Sequence, residues 1–556
     1  MRLVLAGIVA VLTAAGLAAL RPDVLTTEER AAGEAIQEHR IRADIRFLAS
    51  DLLEGRGPAT RGDRLAQAYV ASRFEAIGLE PGAPNGTWFQ PFELVSVETR
   101  CPGVLRVKRG AEGVDLRFLE DFIAVSGVQA DVARVDDAEI VFVGYGIVAP
   151  EYGWDDYEGA DLRGKVLLFM NNDPEADPSL FQGRRRLYYG RWDYKYEMAA
   201  RQGAVGAIVI HTTPSAGYGW PVVQSSWTGE QFGLPSQGEP ALQVKAWTTE
   251  EASRRIARLG GHSLDTLRSA AEERGFRPVP LGVRLSLRLE NTVERRASAN
   301  VIGRLPAEDP SMQEAVLYTA HHDHLGIRAA EEEWDAPKIY NGALDNASGL
   351  AVMLAIAEAF AALPQSSERA ILFASVGAEE QGLLGSEYLA RHPPVSVGRI
   401  AANINLDGIN IWGRTRDVSV VGLGKSTLDD WIRAIAEAQG RTVEAEAFPD
   451  KGAYYRSDHL SFARVGVPGA YLEAGTNVVG KPKGWGRRQQ EAWEAAHYHQ
   501  PTDELTPEWE LGGAIEDAQL LFSLGVKVAN APTLPAWRPG DEFEPARKRA
   551  LAALGK

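Results

Sequence analysis

The chain has 556 residues, too many for one ordinary domain at roughly 100–200 residues each. Hydrophobic residues make up 45% and charged residues 24%, enough for a packed core, which excludes a disordered chain. Acidic residues outnumber basic ones 75 to 59, and a formal charge of −16 excludes a protein that lives by neutralising phosphates, so no nucleic-acid partner is expected. Cys101 is the one cysteine, which removes intrachain disulfides and cysteine zinc fingers.

In chain order, Arg2 followed by the apolar run Leu3–Leu20 predicts an export signal over residues 1–20, with a membrane anchor as the competing reading. No later segment is expected to be long or apolar enough to span a bilayer. The mature chain is therefore expected to be secreted or periplasmic, tethered to a membrane only if the signal is not cleaved. A lone cysteine suits an oxidising compartment.

From about 34 to 98 the sequence predicts helices, including one that places Leu65, Tyr69 and Phe74 near one face. From about 131 to 290, short strands such as Glu139–Tyr145 and Gly164–Met170 dominate, with a helix feeding a strand over Tyr196–His211. From about 291 to 535, apolar strands alternate with helices, the pattern of a mostly parallel α/β sheet with helices on both faces. Residues 536–556, rich in proline and charge, are expected to form a surface tail. The first stretch, 34–130, would join the third in one domain and leave 131–290 as a β-rich insert.

The chemistry gathers at strand ends in the third stretch. Ala315–Ala320 runs into His321-His-Asp-His324, where alternation puts His321 and Asp323 on one face and His322 and His324 on the other. Asp345 stands in the turn before the apolar helix beginning near Leu350, a place an ordinary N-cap also occupies. Glu379 and Glu380 end the strand that starts at Arg369, where an unpaired charge would be costly. Asp407 ends a fourth strand, and His499 lies in a loop with Asp503 beside it in a supporting role. Ligands of open α/β sheets bind outside the carboxyl ends of strands. Two histidines and three carboxylates suit zinc without thiolates, and a further carboxylate is left for acid–base work, as in a two-metal hydrolase.

With these residues in place, the chain resembles the co-catalytic di-zinc aminopeptidases, relatives of glutamate carboxypeptidase (metallopeptidase family twenty-eight). The likeness extends from Phe47-Leu-Ala-Ser-Asp-Leu-Leu-Glu-Gly-Arg-Gly57 through the strand-end motifs. It also covers Gly144-Tyr-Gly-Ile and Trp154-Asp-Asp-Tyr, which resemble a protease-associated insert. The resemblance implies two zinc ions, one held by His321, Asp345 and Asp407 and the other by Asp345, Glu380 and His499. Asp345 would bridge them, Glu379 would be the general base and Asp323 would orient His321. It further implies a cis peptide after Asp345 and a peptide substrate, most simply one trimmed from its N-terminus. A glutamate-carboxypeptidase-type hydrolase and an inactive receptor-like protein are the alternatives within the resemblance. Leu344 and His322 depart from the usual pattern, where Asn and an aromatic residue are commoner. Oligomeric state is not assigned.

Other motifs fare less well. Val421-Gly-Leu-Gly-Lys-Ser-Thr lacks the first glycine of a phosphate loop, since Ser419 stands there. Neither G-x-S-x-G nor H-E-x-x-H occurs. Arg184-Arg-Arg-Leu-Tyr-Tyr-Gly-Arg-Trp192 is expected to be a loop of the insert near the substrate entrance. Ser457-Asp-His459 is expected to cap a short helix at the rim.

Overall fold

The computed structural model describes residues 25–328 and 338–555. The expected export signal at 1–20 lies outside them.

The catalytic half is built on a twisted sheet. Strand Ala315–His321 pairs in parallel with Ala370–Val376 on one side and Ile400–Asn405 on the other. Gly469–Glu473 continues in parallel, and Asp417–Val420 then runs antiparallel to it, with Thr442–Ala445 outermost. Every position of the two central strands is buried, as expected when helices cover both faces. Alternation divides them between two cores. Val316, Tyr318 and Phe373 face helices Glu38–Leu48, Arg61–Ile77, Gly349–Ala361 and Gly512–Asn530, while Leu317 and Leu372 face Leu384–Arg391 and His459–Arg464. The expected mostly parallel α/β architecture is the one found.

The helical reading of 34–98 holds to Ile77 and fails beyond it, because Phe89–Arg100 is a strand. Its N-terminal half alternates exposed and buried positions, a period of two rather than 3.6. In the helix before it, the most buried stripe is Ala66, Val70 and Phe74, one position round from Leu65 and Tyr69.

That strand pairs antiparallel with Val279–Leu305, a strand of 27 residues. Its C-terminal end joins the catalytic sheet against Ile371–Ser375. Its N-terminal part pairs with Val132–Phe142, from which the parallel strands Val166–Met170, Gly206–His211 and Val244–Thr249 continue the β-rich insert. One hydrophobic core takes in residues from Leu105 to Leu289, including the strands of 104–126 that lie ahead of the start expected at 131, and continues into the other half at Val421, Tyr454, Tyr455 and Phe543.

Two expectations need correction. Among the described residues, Ala343–Ala361 is long and apolar enough to cross a membrane, but it is a buried core helix. The described part of the expected surface tail, 536–555, is no loose tail either: Trp537 and Phe543 are buried, and Glu544–Ala552 is helical. The two aromatics anchor what the prolines and charges had suggested was solvated. Lys425, the lysine of the phosphate-loop-like motif, is committed there, paired with Asp541 at 3.1 Å and Glu542 at 2.7 Å.

Candidate metal centre

His321, Glu379, Glu380 and Asp407 come together at or just past adjacent strand ends, Asp345 joins them from the turn before helix Gly349–Ala361, and the loop after Trp485–His497 brings His499 to the same point. The two carboxylate oxygens of Asp345 face different imidazoles: Oδ1 lies 3.2 Å from His321 Nε2 and Oδ2 lies 3.3 Å from His499 Nε2. On one side Asp407 Oδ1 is 3.3 Å from His321 Nε2, and on the other Glu380 Oε2 is 3.0 Å from His499 Nε2. Glu379 Oε2 stands further off, 4.0 Å from His321 Nε2. The peptide bond after Asp345 is cis.

The electrostatics ask for a cation. Four carboxylates converge with no Lys or Arg ion pair to any of them among the described residues. Burial works to lower the His321 pKa, yet Glu379, Asp345 and Asp407 outweigh it and hold it well above the usual value. His499 is raised likewise, burial being overcome chiefly by Glu380. Burial, joined by the charges of Glu380, Asp407 and Asp458, pushes Glu379 well above the carboxylate range. Nitrogen and oxygen donors in this proportion fit zinc.

The carboxylate of Asp323 is 3.8 Å from His321 Nδ1, whose nearer partner is the Asp323 carbonyl at 3.2 Å. Its direct hydrogen bonds come from the amides of Glu379 at 3.0 Å and Glu380 at 3.3 Å. Asp323 thus ties the His321 strand end to the glutamate pair, a role the sequence did not suggest. Asp503 does the same for the bridging turn, accepting from the amides of Leu344 at 2.8 Å and Asp345 at 3.1 Å.

His322 and His324 do not share a face. The regular strand ends at His321, and beyond that residue alternation no longer governs side-chain direction. His322 turns away to Ser375 and Asp63, whereas His324 turns into the centre, its Nδ1 2.6 Å from Glu380 Oε1. The His324 Nε2 is buried and has no hydrogen-bond partner.

Arg56 was also hidden in the sequence. Its guanidinium donates to the carbonyls of His322 at 2.8 Å, Asn341 at 2.6 Å and Gly342 at 3.0 Å, bracing both loops that carry the centre. Burial lowers its pKa to about 10, against the opposing pull of Asp323, Asp503 and Asp345. Gly55 beside it has φ +66°, and a Cβ there would come within 2.5 Å of the Gly326 carbonyl oxygen. Asp458 stands at the start of helix His459–Arg464 without making a capping bond, and burial raises its pKa to about 7.

Two cavities meet at the centre, sharing Glu379 and Glu380. One of about 290 Å³ is walled by Trp412, Phe448, Leu472 and Trp493 and also contains Asp345 and Asp407. The other, about 1480 Å³, lies between the catalytic half and the insert and contains His499.

Comparison with known proteins agrees with this arrangement. Residues 300–523 match the model of Peptidase family M28. It is 28% identical over 233 residues to Aminopeptidase YwaD of Bacillus subtilis (strain 168), covering 40% of this chain and 44% of that protein. It is 31% identical over 186 residues to Aminopeptidase NAALADL1 of Mus musculus, covering 29% of this chain and 23% of that protein. The chain thus spans less than half the length of these two relatives. Among solved structures it is similar to an aminopeptidase from Aneurinibacillus sp. strain AM-1, with TM-score 0.49 and 20% identity over 92% of this chain and 97% of that one.

Proposed function

We propose that this chain is a zinc-dependent aminopeptidase with two metal ions, one held by His321, Asp345 and Asp407 and the other by Asp345, Glu380 and His499. The observation that carries this reading is Asp345, whose two oxygens face two imidazoles, each accompanied by one further carboxylate. The family M28 match and the two aminopeptidase relatives support it. Bound there, zinc would polarise a peptide carbonyl and acidify a water.

The chain's own residues divide the remaining work. Glu379 lines both cavities without belonging to either ligand set, so its carboxylate is free to accept the water's proton and deliver it to the leaving amine. Asp323 holds Glu379 and Glu380 by their amides, so that one stays aimed at substrate and the other at metal. His324 orients Glu380 from behind, as a buried hydrogen-bond partner of a metal-ligating carboxylate does. The aromatic pocket would receive the first side chain of the peptide and the larger cavity the residues after it. Residues 131–290 would act as a protease-associated insert that shapes access.

The deciding experiment sets the purified, zinc-loaded protein against free and N-blocked versions of the same peptides. Release of the first residue from the free peptides alone is expected. Equal cleavage of both, or release from the carboxyl end, overturns the reading. We also propose that the chain is exported, on the apolar run Leu3–Leu20. A mature protein whose N-terminus is still Met1, recovered from the cytoplasm, would contradict that.

A further inference from the structure

The smaller cavity carries one charge that neither the metal ligands nor the proposed base accounts for. Glu473 ends the strand Gly469–Glu473, which continues the parallel row whose other ends supply His321, Glu380 and Asp407. Alternation puts Glu473 on the same face as Tyr471, whose hydroxyl donates to the Asp407 carbonyl at 3.1 Å. Both residues line the cavity walled by Trp412, Phe448 and Trp493.

The Glu473 carboxylate is partly exposed there and has no hydrogen bond or ion pair among the described residues. Its charged neighbours are already committed. Lys451 pairs with Glu494, and Glu446 pairs with Arg185 at 3.1 Å. Arg456, which also lines the cavity, donates to the Tyr498 hydroxyl at 3.3 Å. Burial, joined by the charges of Glu446 and Glu494, pushes the Glu473 pKa up to about 7, and Lys451 opposes them only in part. A cation arriving beside this carboxylate would turn a costly charge into a charge-assisted hydrogen bond.

The walls suit a cation too. Lys451 Nζ lies 4.5 Å and the Arg487 guanidinium 4.7 Å from the centre of the Phe448 ring, so that ring is taken. No described cation stands over Trp412 or Trp493, and an indole face is the best aromatic partner for one. An aromatic wall with one free acid matches lysine and arginine, which pair an apolar stem with a charged head. The substrate's own α-ammonium is the other cation at hand. Glu473 feels Glu446, Glu494 and Lys451 more strongly than Asp407, which sets it back from the metals, where a side-chain head would arrive.

We propose that Glu473 makes this pocket a site for a cationic first side chain, so that the chain releases N-terminal arginine and lysine in preference to neutral residues of similar size. This rests on the aminopeptidase reading, in which the pocket receives that side chain.

The test measures kcat/KM of the zinc-loaded full chain on arginyl, citrullyl, lysyl and norleucyl p-nitroanilides. Citrulline and norleucine keep nearly the length of arginine and lysine without the charge. Each cationic substrate is expected to exceed its neutral counterpart by at least about tenfold, mostly through KM. Glu473→Gln should bring both ratios towards one, and Glu473→Asp should retain part of them. Ratios near one in the unaltered protein, or ratios preserved in Glu473→Gln, overturn the assignment. Equal losses on all four substrates in Glu473→Gln would point to the α-ammonium and overturn it as well. Norleucyl turnover reports the aminopeptidase reading separately. Turnover without a preference for cations sinks the pocket assignment alone, and no turnover of any of the four substrates sinks both.

Discussion

The Asp323 carboxylate accepts a hydrogen bond from the Glu379 amide at 3.0 Å, so a residue from the first histidine strand sets the backbone of the base proposed for the next. Two strand ends are joined by side chain to backbone at the point where chemistry is expected. Replacing Asp323 with Asn keeps an acceptor but removes the charge. Zinc affinity should fall roughly 10–100-fold, the usual cost of losing support behind metal ligands, while urea unfolding of the zinc-loaded protein shifts little. Unchanged zinc affinity and rate would show that the hydrogen bond serves packing alone.

The adjacent glutamates should fail in different ways. Glu379→Gln cannot take a proton at neutral pH and should lose roughly 10²–10⁴-fold in kcat with both zinc ions retained. Glu380→Gln should instead release one zinc equivalent, with activity partly restored by added metal. Steady-state rates beside metal analysis distinguish the two, and a fully metallated, fully active Glu379→Gln protein would sink the mechanism.

Removing metal should weaken the fold as well as the activity. Stripped of cations, Asp345, Glu379, Glu380 and Asp407 have only His321, His324 and His499 as ion-pair partners among the described residues. Chelation should lower Tm by at least about 5 °C, and two equivalents of zinc should restore it. Full recovery with one equivalent would contradict the shared Asp345.

Much of this centre was legible because each ligand type stood where an apolar strand gave way to polar residues. His321, Glu380 and Asp407 could be located by that change alone. Asp345 and His499 lie in turns, where an N-cap or an ordinary loop reads the same, and the resemblance assigned each of them its metal. The roles of His324 and Arg56 were hidden because their partners are hundreds of residues or a full strand away, and no local period marks such a contact. Phe89–Arg100 was misjudged because a helical pattern was carried past Gly78, where the helix in fact ends with a left-handed cap.

The C-terminal segment provides a stability test. Lys425 is buried among Tyr454, Tyr455 and Phe543 and is the partner of Asp541 and Glu542. Lys425→Met leaves both carboxylates without it and should cost about 3–5 kcal/mol in urea unfolding. Adding Glu542→Gln should recover part of that loss. No change in the single variant would mean that the pair contributes nothing.

Acid sensitivity should trace in part to His459. Burial pulls its pKa from 6.5 to about 3, so between those values the unfolded chain binds the extra proton. Stability from this residue is complete above pH 6.5 and is lost as pH falls towards 3. Between pH 7 and 4.5 the loss should be about 2–3 kcal/mol. In His459→Gln that share of the slope should vanish, and identical slopes in the two proteins would refute the assignment.

The strand Val279–Leu305 carries one further consequence, for evolution and engineering. Because it and Phe89–Arg100 both link the catalytic sheet to the insert, in opposite directions and paired as Thr292 with Glu98, the insert is continuous with its host at both crossings. A graft of an insert from a related protein therefore has to preserve register along this ribbon. A one-residue slip would send its inward side chains out on both strands and misalign two hydrophobic cores at once. Exchange of inserts is expected to succeed only where the splice falls at matched ribbon positions, which makes the ribbon itself the unit of inheritance.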